Sequence, residues 1–253
     1  LGMDYQYRAY EVKPEELGDF ISSAKAGGFA GLNVTIPHKV SAVVHLDELS
    51  REAHLIGAVN TIKFADKATG YNTDGIGCIR AIRQAGHEVK GKRVFIVGAG
   101  GAARAIAFQL ALEGANVSIT NRQEEIAMAE KLANEINEKL GGVSVIGFSG
   151  TLLQKELKKC DIMIHATPVG MHPHVDASMI PVELIPKNVV VMDIVYNPFE
   201  TKLLRDAKAN GCKTISGDGM LVNQGAESFK IWLGVEPPVD VMRKALLKRL
   251  ITH

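Results

Sequence analysis

Residues 31–39, reading GLNVTIPHK, place a lysine just after a run that ends in proline. A lysine held in position does chemistry that a solvated one does not. It stays cationic in neutral water, its pKa being near about 10.4, and it can hand a proton to an oxygen that is gaining charge. Val34, Thr35 and Ile36 favour extended backbone, while Pro37 sets φ near about −65° and withholds an N–H. A strand over 31–36 is therefore expected to stop there and present Lys39 beyond its carboxyl end. Further polar clusters are GAVNT (57–61) with Asn60, YNTDG (71–75) with Asp74, and DGMLVNQG (218–225) with Gln224. Each alone reads equally well as turn capping, because Asn and Asp beside Gly commonly make turns. Together they form the kind of polar convergence with which open α/β sheets hold a ligand.

A second chemistry is written in GAGGAA (98–103), which follows a predicted strand and opens a predicted helix. Gly98 allows the tight turn, Gly100 lets the backbone approach a pyrophosphate, and Ala103 permits close helix packing, while the helix N-terminus offers free N–H groups. The next strand ends in Asn121-Arg122 rather than in an acid. An acid there would hold the ribose 2′-hydroxyl of NAD, whereas Arg122 can clamp or stack on a 2′-phosphate, so NADP is the expected cofactor.

The elements that must position these residues follow from hydrophobic spacing. Strands are predicted at 93–97, 116–120, 143–148, 161–166, 189–195 and 213–215, alternating with helices at 101–113, 123–140, 152–158 and 200–210. That alternation implies right-handed crossovers and a parallel sheet covered on both faces. Upstream, a strand at 7–12, helix at 14–26, strand at 31–36, helix at 39–46 and strands at 62–65 and 69–72 read as a second α/β lobe. The tail from Leu221 is helical, and its stripe of Phe229, Ile231, Trp232, Val241, Ala245, Leu246 and Leu250 must be buried, with the first lobe as the partner. The expected fold is α/β in two lobes: a doubly wound Rossmann-type NADP domain at 77–218 and a discontinuous α/β substrate domain at 1–76 and 219–253. The chain crosses between them near 74–79 and 217–221, which puts the cleft there and predicts a hinge that closes over the ligands.

Composition narrows the function classes. With 29 basic and 28 acidic side chains the formal charge is +1, so there is no broad attraction to nucleic acid or anionic lipid, and the expected partner is a small molecule. Cys78, Cys160 and Cys212 are far apart and form no CxxC pair, which argues for reduced, buried thiols in the cytosol rather than disulfides or structural zinc. No apolar run reaches the ~18 residues that span a membrane, the best candidate at 189–195 being broken by Asp193. A cytoplasmic enzyme, monomer or homodimer, is expected. The sequence opens at Leu1 without methionine, signal peptide or basic leader, so an upstream segment is expected to exist outside it.

In order along the chain, NVTIPHK (33–39), GAVNT, YNTDG, GAGGAAR (98–104), Asn121-Arg122, ATPVGM (166–171), DIVYNPFET (193–201) and GMLVNQGAESF (219–229) resemble the shikimate dehydrogenases. The resemblance covers nearly the whole chain. It implies NADP-dependent reversible reduction of 3-dehydroshikimate to shikimate, an oxidoreductase step of aromatic amino-acid biosynthesis. Residue by residue, it implies that Lys39 is the acid/base with Asp74 as its partner, and that Thr35, Asn60, Tyr196 and Gln224 bind substrate. It further implies that Gly98, Ala99, Gly100, Gly101 and Ala102 cradle the pyrophosphate, that Asn121 and Arg122 hold the adenosine ribose phosphate, and that Thr167, Ile194 and Gly217 line the nicotinamide end. The alternatives are a quinate/shikimate dehydrogenase with relaxed cofactor use and, from another class, a non-catalytic NADP-binding regulator.

Two departures stand out. The family's upstream serine-rich loop, which binds the substrate carboxylate, is absent from this sequence. His165 occupies a position where the family usually carries Asn, and it is read as a strand-end polar group rather than a catalytic one. His172 and His174 lack an adjacent carboxylate or cysteine to complete a coordination set, so no metal is expected. Met163, Met171, Met179 and Met192 are read as packing residues.

Overall fold

The computed structural model describes residues 2–251. α1 (Leu17–Ala26) is entered through a 3-10 turn at Pro14–Glu16 and buries Leu17, Ile21 and Ala24. β1 (Gly31–Asn33), β2 (Glu48–Leu49), β3 (Thr61–Phe64) and β4 (Ala68–Tyr71) form a mixed sheet in the order β1-β3-β4-β2. α2 (Arg51–Ile56) starts where the Ser50 hydroxyl accepts the Ala53 N–H and stops at Gly57, whose φ of 68° is left-handed. α3 (Asp74–Gln84) follows the sheet.

Three expectations for this lobe are corrected. Residues 7–12 form no strand; aromatic contacts anchor the segment instead of a ladder, with the Tyr10 ring 5.3 Å from Phe20 and the Tyr7 ring 6.4 Å from Trp232. The strand expected to reach residue 36 ends at Asn33, because the His38 N–H bonds back to Thr35 and starts a turn. The helix expected over 39–46 is a 3-10 turn at Ser41–His45. Neither α2 nor α3 was foreseen.

The larger sheet is all parallel. β5 (Arg93–Val97), β6 (Asn116–Thr120), β7 (Val143–Val145), β8 (Ile162–His165), β9 (Val190–Asp193) and β10 (Lys213–Ile215) lie in the order β10-β9-β8-β5-β6-β7. Helices α4 (Gly101–Leu112), α5 (Ile126–Lys139), α6 (Gly150–Leu157) and α7 (Lys202–Ala209) supply the crossovers. Successive side chains of a strand point to opposite faces, and here both faces are dry: Val94 and Ile96 join one apolar cluster while Phe95 and Val97 join another. Met163 and Met192 are buried and Met179 is half-buried, but Met171 is 46% exposed, so the packing role expected of it fails.

α8 (Gly217–Leu233) and α9 (Val239–Ile251) close the chain. Trp232 of α8 donates to the Ile62 carbonyl at 2.8 Å, tying the tail to the first lobe. The stripe of α9 is less covered than expected: Val241 is 63% exposed, and Leu246 and Leu250 are half-buried. The crossings at 74–79 and 217–221 are not loops but the first turns of α3 and α8, which pack together. A methyl at Gly77 would sit 2.9 Å from the Gln224 nitrogen and 3.0 Å from the Met220 carbonyl oxygen. Glycine there lets the two backbones touch.

Candidate active site

The turn after β1 fixes Lys39 through its backbone: the Val59 N–H donates to the Lys39 carbonyl at 2.7 Å. Its Nζ then reaches Asp74 Oδ2 at 2.6 Å, with the pair largely shielded from solvent. Asp74 opens α3, where the free N–H groups of a helix start favour negative charge, and its own N–H donates to Asn72 Oδ1 at 3.1 Å. Asn60 completes the arrangement. Its Nδ2 donates to Asp74 Oδ1 at 2.8 Å and to Thr73 Oγ1 at 2.9 Å, and its Oδ1 accepts the Thr73 N–H at 2.8 Å. A carboxylate held on both oxygens fixes the point at which the ammonium binds, and Lys39 itself lines a cavity.

That cavity, about 280 Å³, is lined by Thr35, Lys39, Asn60, Asp74, Tyr196 and Gln224, and also by Ile194 and Gly217. All six residues expected to handle the substrate thus meet in one place. Tyr7, Asn33, Met220 and Leu221 line it too and were missed. Tyr7 donates to Asn33 Oδ1 at 2.9 Å, and Asn33 Nδ2 in turn reaches Thr61 and Ser228. The only sign of this in the sequence is that Asn33 begins the NVTIPHK block. Cys78 lies beneath the site with its thiol pushed up to about 12, first by burial and then by the negative charge of Asp74.

The remaining expected residues lie along the carboxyl edge of the large sheet, where Thr120, Val97, His165 and Asp193 stand side by side in register on β6, β5, β8 and β9. β5 and β8 start crossovers that wind in opposite directions, which makes their ends the switch point of the sheet. Gly98, with φ of 118°, turns the chain there, and a methyl on it would sit 2.6 Å from the Ala166 carbonyl oxygen. Methyls on Gly100 and Gly101 would meet nothing within 4 Å, so the turn is open above the N-terminus of α4. Arg122 is more than half exposed and pairs with Glu125 at 2.7 Å, while Asn121 is buried with its amide bonded within its own turn. His172 and His174 are exposed, and no group of three potential metal ligands occurs among the described residues.

Three family models match in succession: the shikimate dehydrogenase substrate binding domain over residues 1–62, shikimate / quinate 5-dehydrogenase over 80–198, and the shikimate 5′-dehydrogenase C-terminal domain over 217–247. The NADP(+) shikimate dehydrogenase of Methanocaldococcus jannaschii is 49% identical over 98% of this chain and 88% of its own length. The chain belongs to the shikimate dehydrogenase family. Among solved structures, a shikimate dehydrogenase in complex with NADP+ superposes with a TM-score of 0.91 at 48% identity, over 98% of this chain and 86% of that one. The shikimate 5-dehydrogenase of Thermus thermophilus in complex with NADP(H) and shikimate gives 0.87 at 35% identity, over 98% and 89%. The two-lobed α/β architecture is therefore that of the shikimate dehydrogenases.

The glycine turn of this family member also passes a steric test for a dinucleotide. Gly98 lacks room for any side chain against Ala166, Gly100 and Gly101 leave the approach clear, and α4 directs free N–H groups toward it.

Proposed function

We propose that this chain reduces 3-dehydroshikimate to shikimate with NADPH, and runs the reaction in reverse, in the synthesis of aromatic amino acids. The observation that carries the reading is the Lys39–Asp74 pair at 2.6 Å, set in a polar cavity beside an open dinucleotide turn. The nicotinamide, when bound, supplies or accepts the hydride. Lys39 holds a proton at Nζ toward the substrate oxygen, stabilises the charge that grows there, and gives the proton up as the alcohol forms. Asp74 keeps the ammonium aimed, and Asn60 keeps Asp74 aimed. Thr35, Tyr196 and Gln224 hold the ring and its remaining hydroxyls. Gly98 to Ala102 bind the pyrophosphate, Arg122 with Asn121 the 2′-phosphate end, and Thr167, Ile194 and Gly217 the nicotinamide end.

The reading divides the chain into a substrate domain at 1–76 and 219–253 and a cofactor domain at 77–218, working as a cytosolic monomer or homodimer. Three buried free thiols suit that compartment. The test is the steady-state rate of NADPH consumption by the purified chain, with quinate and NAD as competing substrate and cofactor in the oxidative direction. Binding of NADPH without any consumption on adding 3-dehydroshikimate would sink the reading and leave the silent regulator in its place.

A further inference from the structure

His165, the last residue of β8, sits at the centre of a buried chain of hydrogen bonds. Its Nδ1 is 3.0 Å from Asp193 Oδ1, and its Nε2 is 2.6 Å from Thr167 Oγ1. Asp193 is fully buried and already accepts the Val195 N–H at 3.0 Å and the Thr201 hydroxyl at 2.6 Å. A carboxylate can only accept, so the ring hydrogen sits on Nδ1, and in the neutral ring Nε2 is left as an acceptor. The Thr167 hydroxyl hydrogen must then point at His165, since the competing Met179 sulfur, at 3.4 Å, is a weak acceptor. With its hydrogen committed inward, Thr167 Oγ1 offers only lone pairs outward, and the Val169 N–H at 3.2 Å takes one of them.

The side chain that is oriented in this way stands where a cofactor ring has to pass. The Thr167 methyl lies 2.9 Å from the position a Cβ on Gly98 would take, directly beside the phosphate turn. Thr167 follows the end of β8 by two residues, and β8 lies between β5 with that turn and β9, which leads to Ile194 on the cavity wall. A dinucleotide running from the turn to the cavity therefore crosses Thr167 with its nicotinamide end, whose carboxamide carries N–H donors.

We propose that His165 is a positioning residue that holds Thr167 Oγ1 as an acceptor for the nicotinamide carboxamide, which deepens the NADP reading above and rests on it. The experiment compares binding, by calorimetry on the whole chain, of NADP+ and of its 3-acetylpyridine analogue, which has no carboxamide N–H. The unaltered chain prefers NADP+ by about fivefold, the worth of one neutral hydrogen bond. Thr167→Val and His165→Phe each abolish that preference, Thr167→Ser retains it, and the double variant loses no more than either single one. Should His165→Phe fail to fold, Thr167→Val against Thr167→Ser decides the acceptor, and His165→Asn tests the orienting ring. A preference untouched by the substitutions at His165, equal weakening of both ligands by Thr167→Val, or additive losses in the double variant would each overturn the proposal. Failure of the unaltered chain to bind either ligand would overturn the NADP reading with it, a result distinct from binding both equally.

Discussion

The Asn60 amide nitrogen stands 2.8 Å from Asp74 Oδ1, the carboxylate oxygen that Lys39 does not hold. One side chain from the end of the small sheet thus sets the carboxylate that aims the ammonium. Asn60→Leu removes the donor and leaves a buried oxygen unsatisfied, at a cost of about 1–3 kcal/mol. We expect a lower melting temperature together with a loss of kcat. A variant that melts like the unaltered chain and turns over normally would remove Asn60 from the site.

Lys39→Met should lower kcat by about 10²–10⁴, the usual contribution of a positioned acid or base. NADPH affinity should be unchanged, because Lys39 belongs to the cavity and not to the glycine turn. Stopped-flow measurement of a single turnover separates the two effects, and full-speed hydride transfer in the variant would exclude Lys39 as the proton donor.

Gly98 and Gly100 should fail differently when changed to alanine. At Gly98 a methyl meets the Ala166 carbonyl oxygen at 2.6 Å and the backbone is left-handed, so Gly98→Ala should cost stability by about 1–3 kcal/mol as well as cofactor binding. Gly100 has open space where its methyl would go, so Gly100→Ala should melt normally and lose affinity for NADP+ alone. Thermal melts beside binding isotherms test the contrast; equal melting of the two variants would contradict it.

If Arg122 holds the 2′-phosphate as proposed, Arg122→Ala should weaken NADP+ by about tenfold and leave NAD+ binding unchanged, since NAD+ has no such phosphate. Glu125→Ala, which frees Arg122 from its ion pair, should strengthen NADP+ binding. Parallel losses for both cofactors in Arg122→Ala would point to a folding role instead.

Cys78 and Cys160, both pushed up to about 12 chiefly by burial, stay protonated at pH 8, where about one thiol in ten thousand is ionised. Iodoacetamide should leave them unmodified in the folded chain and label them in urea, as read by mass spectrometry. Because the unfolded thiols ionise near 9.0 and the folded ones do not, the unfolded state holds fewer protons above that pH. This contribution to stability therefore falls as pH rises from about 9 to 12.

How much of this was legible beforehand varied along the chain. β5 and β6 fall on their predicted residues, because strands buried on both faces are rich in branched residues and are bounded here by Lys, Gly or Asn; β10, an edge strand exposed at Lys213 and buried at Ile215, falls on its predicted residues too. The cavity residues were legible as motifs, yet their helices were not. α3 reads DGIGCIRAIRQ, and two glycines that each disfavour helix by about 1 kcal/mol disguise its start as a turn. What restores the helix is tertiary: Gly75 seats against the Ala105 carbonyl and Gly77 against α8. The buried bond from His165 to Asp193 was equally hidden, since 28 residues separate the two and only the register of β8 with β9 brings them together.

The tight seating of Gly75, Gly77 and Gly217 has a consequence for lineage. A methyl on Gly217 would fall 2.3 Å from the Ile194 carbonyl oxygen, and one on Gly75 2.6 Å from that of Ala105. Selection should hold these three positions as firmly as Lys39, although Gly75 and Gly77 are spent on joining helices. Invariance across descendants would then mark scaffold and chemistry alike, and only the distances between backbones would tell one from the other.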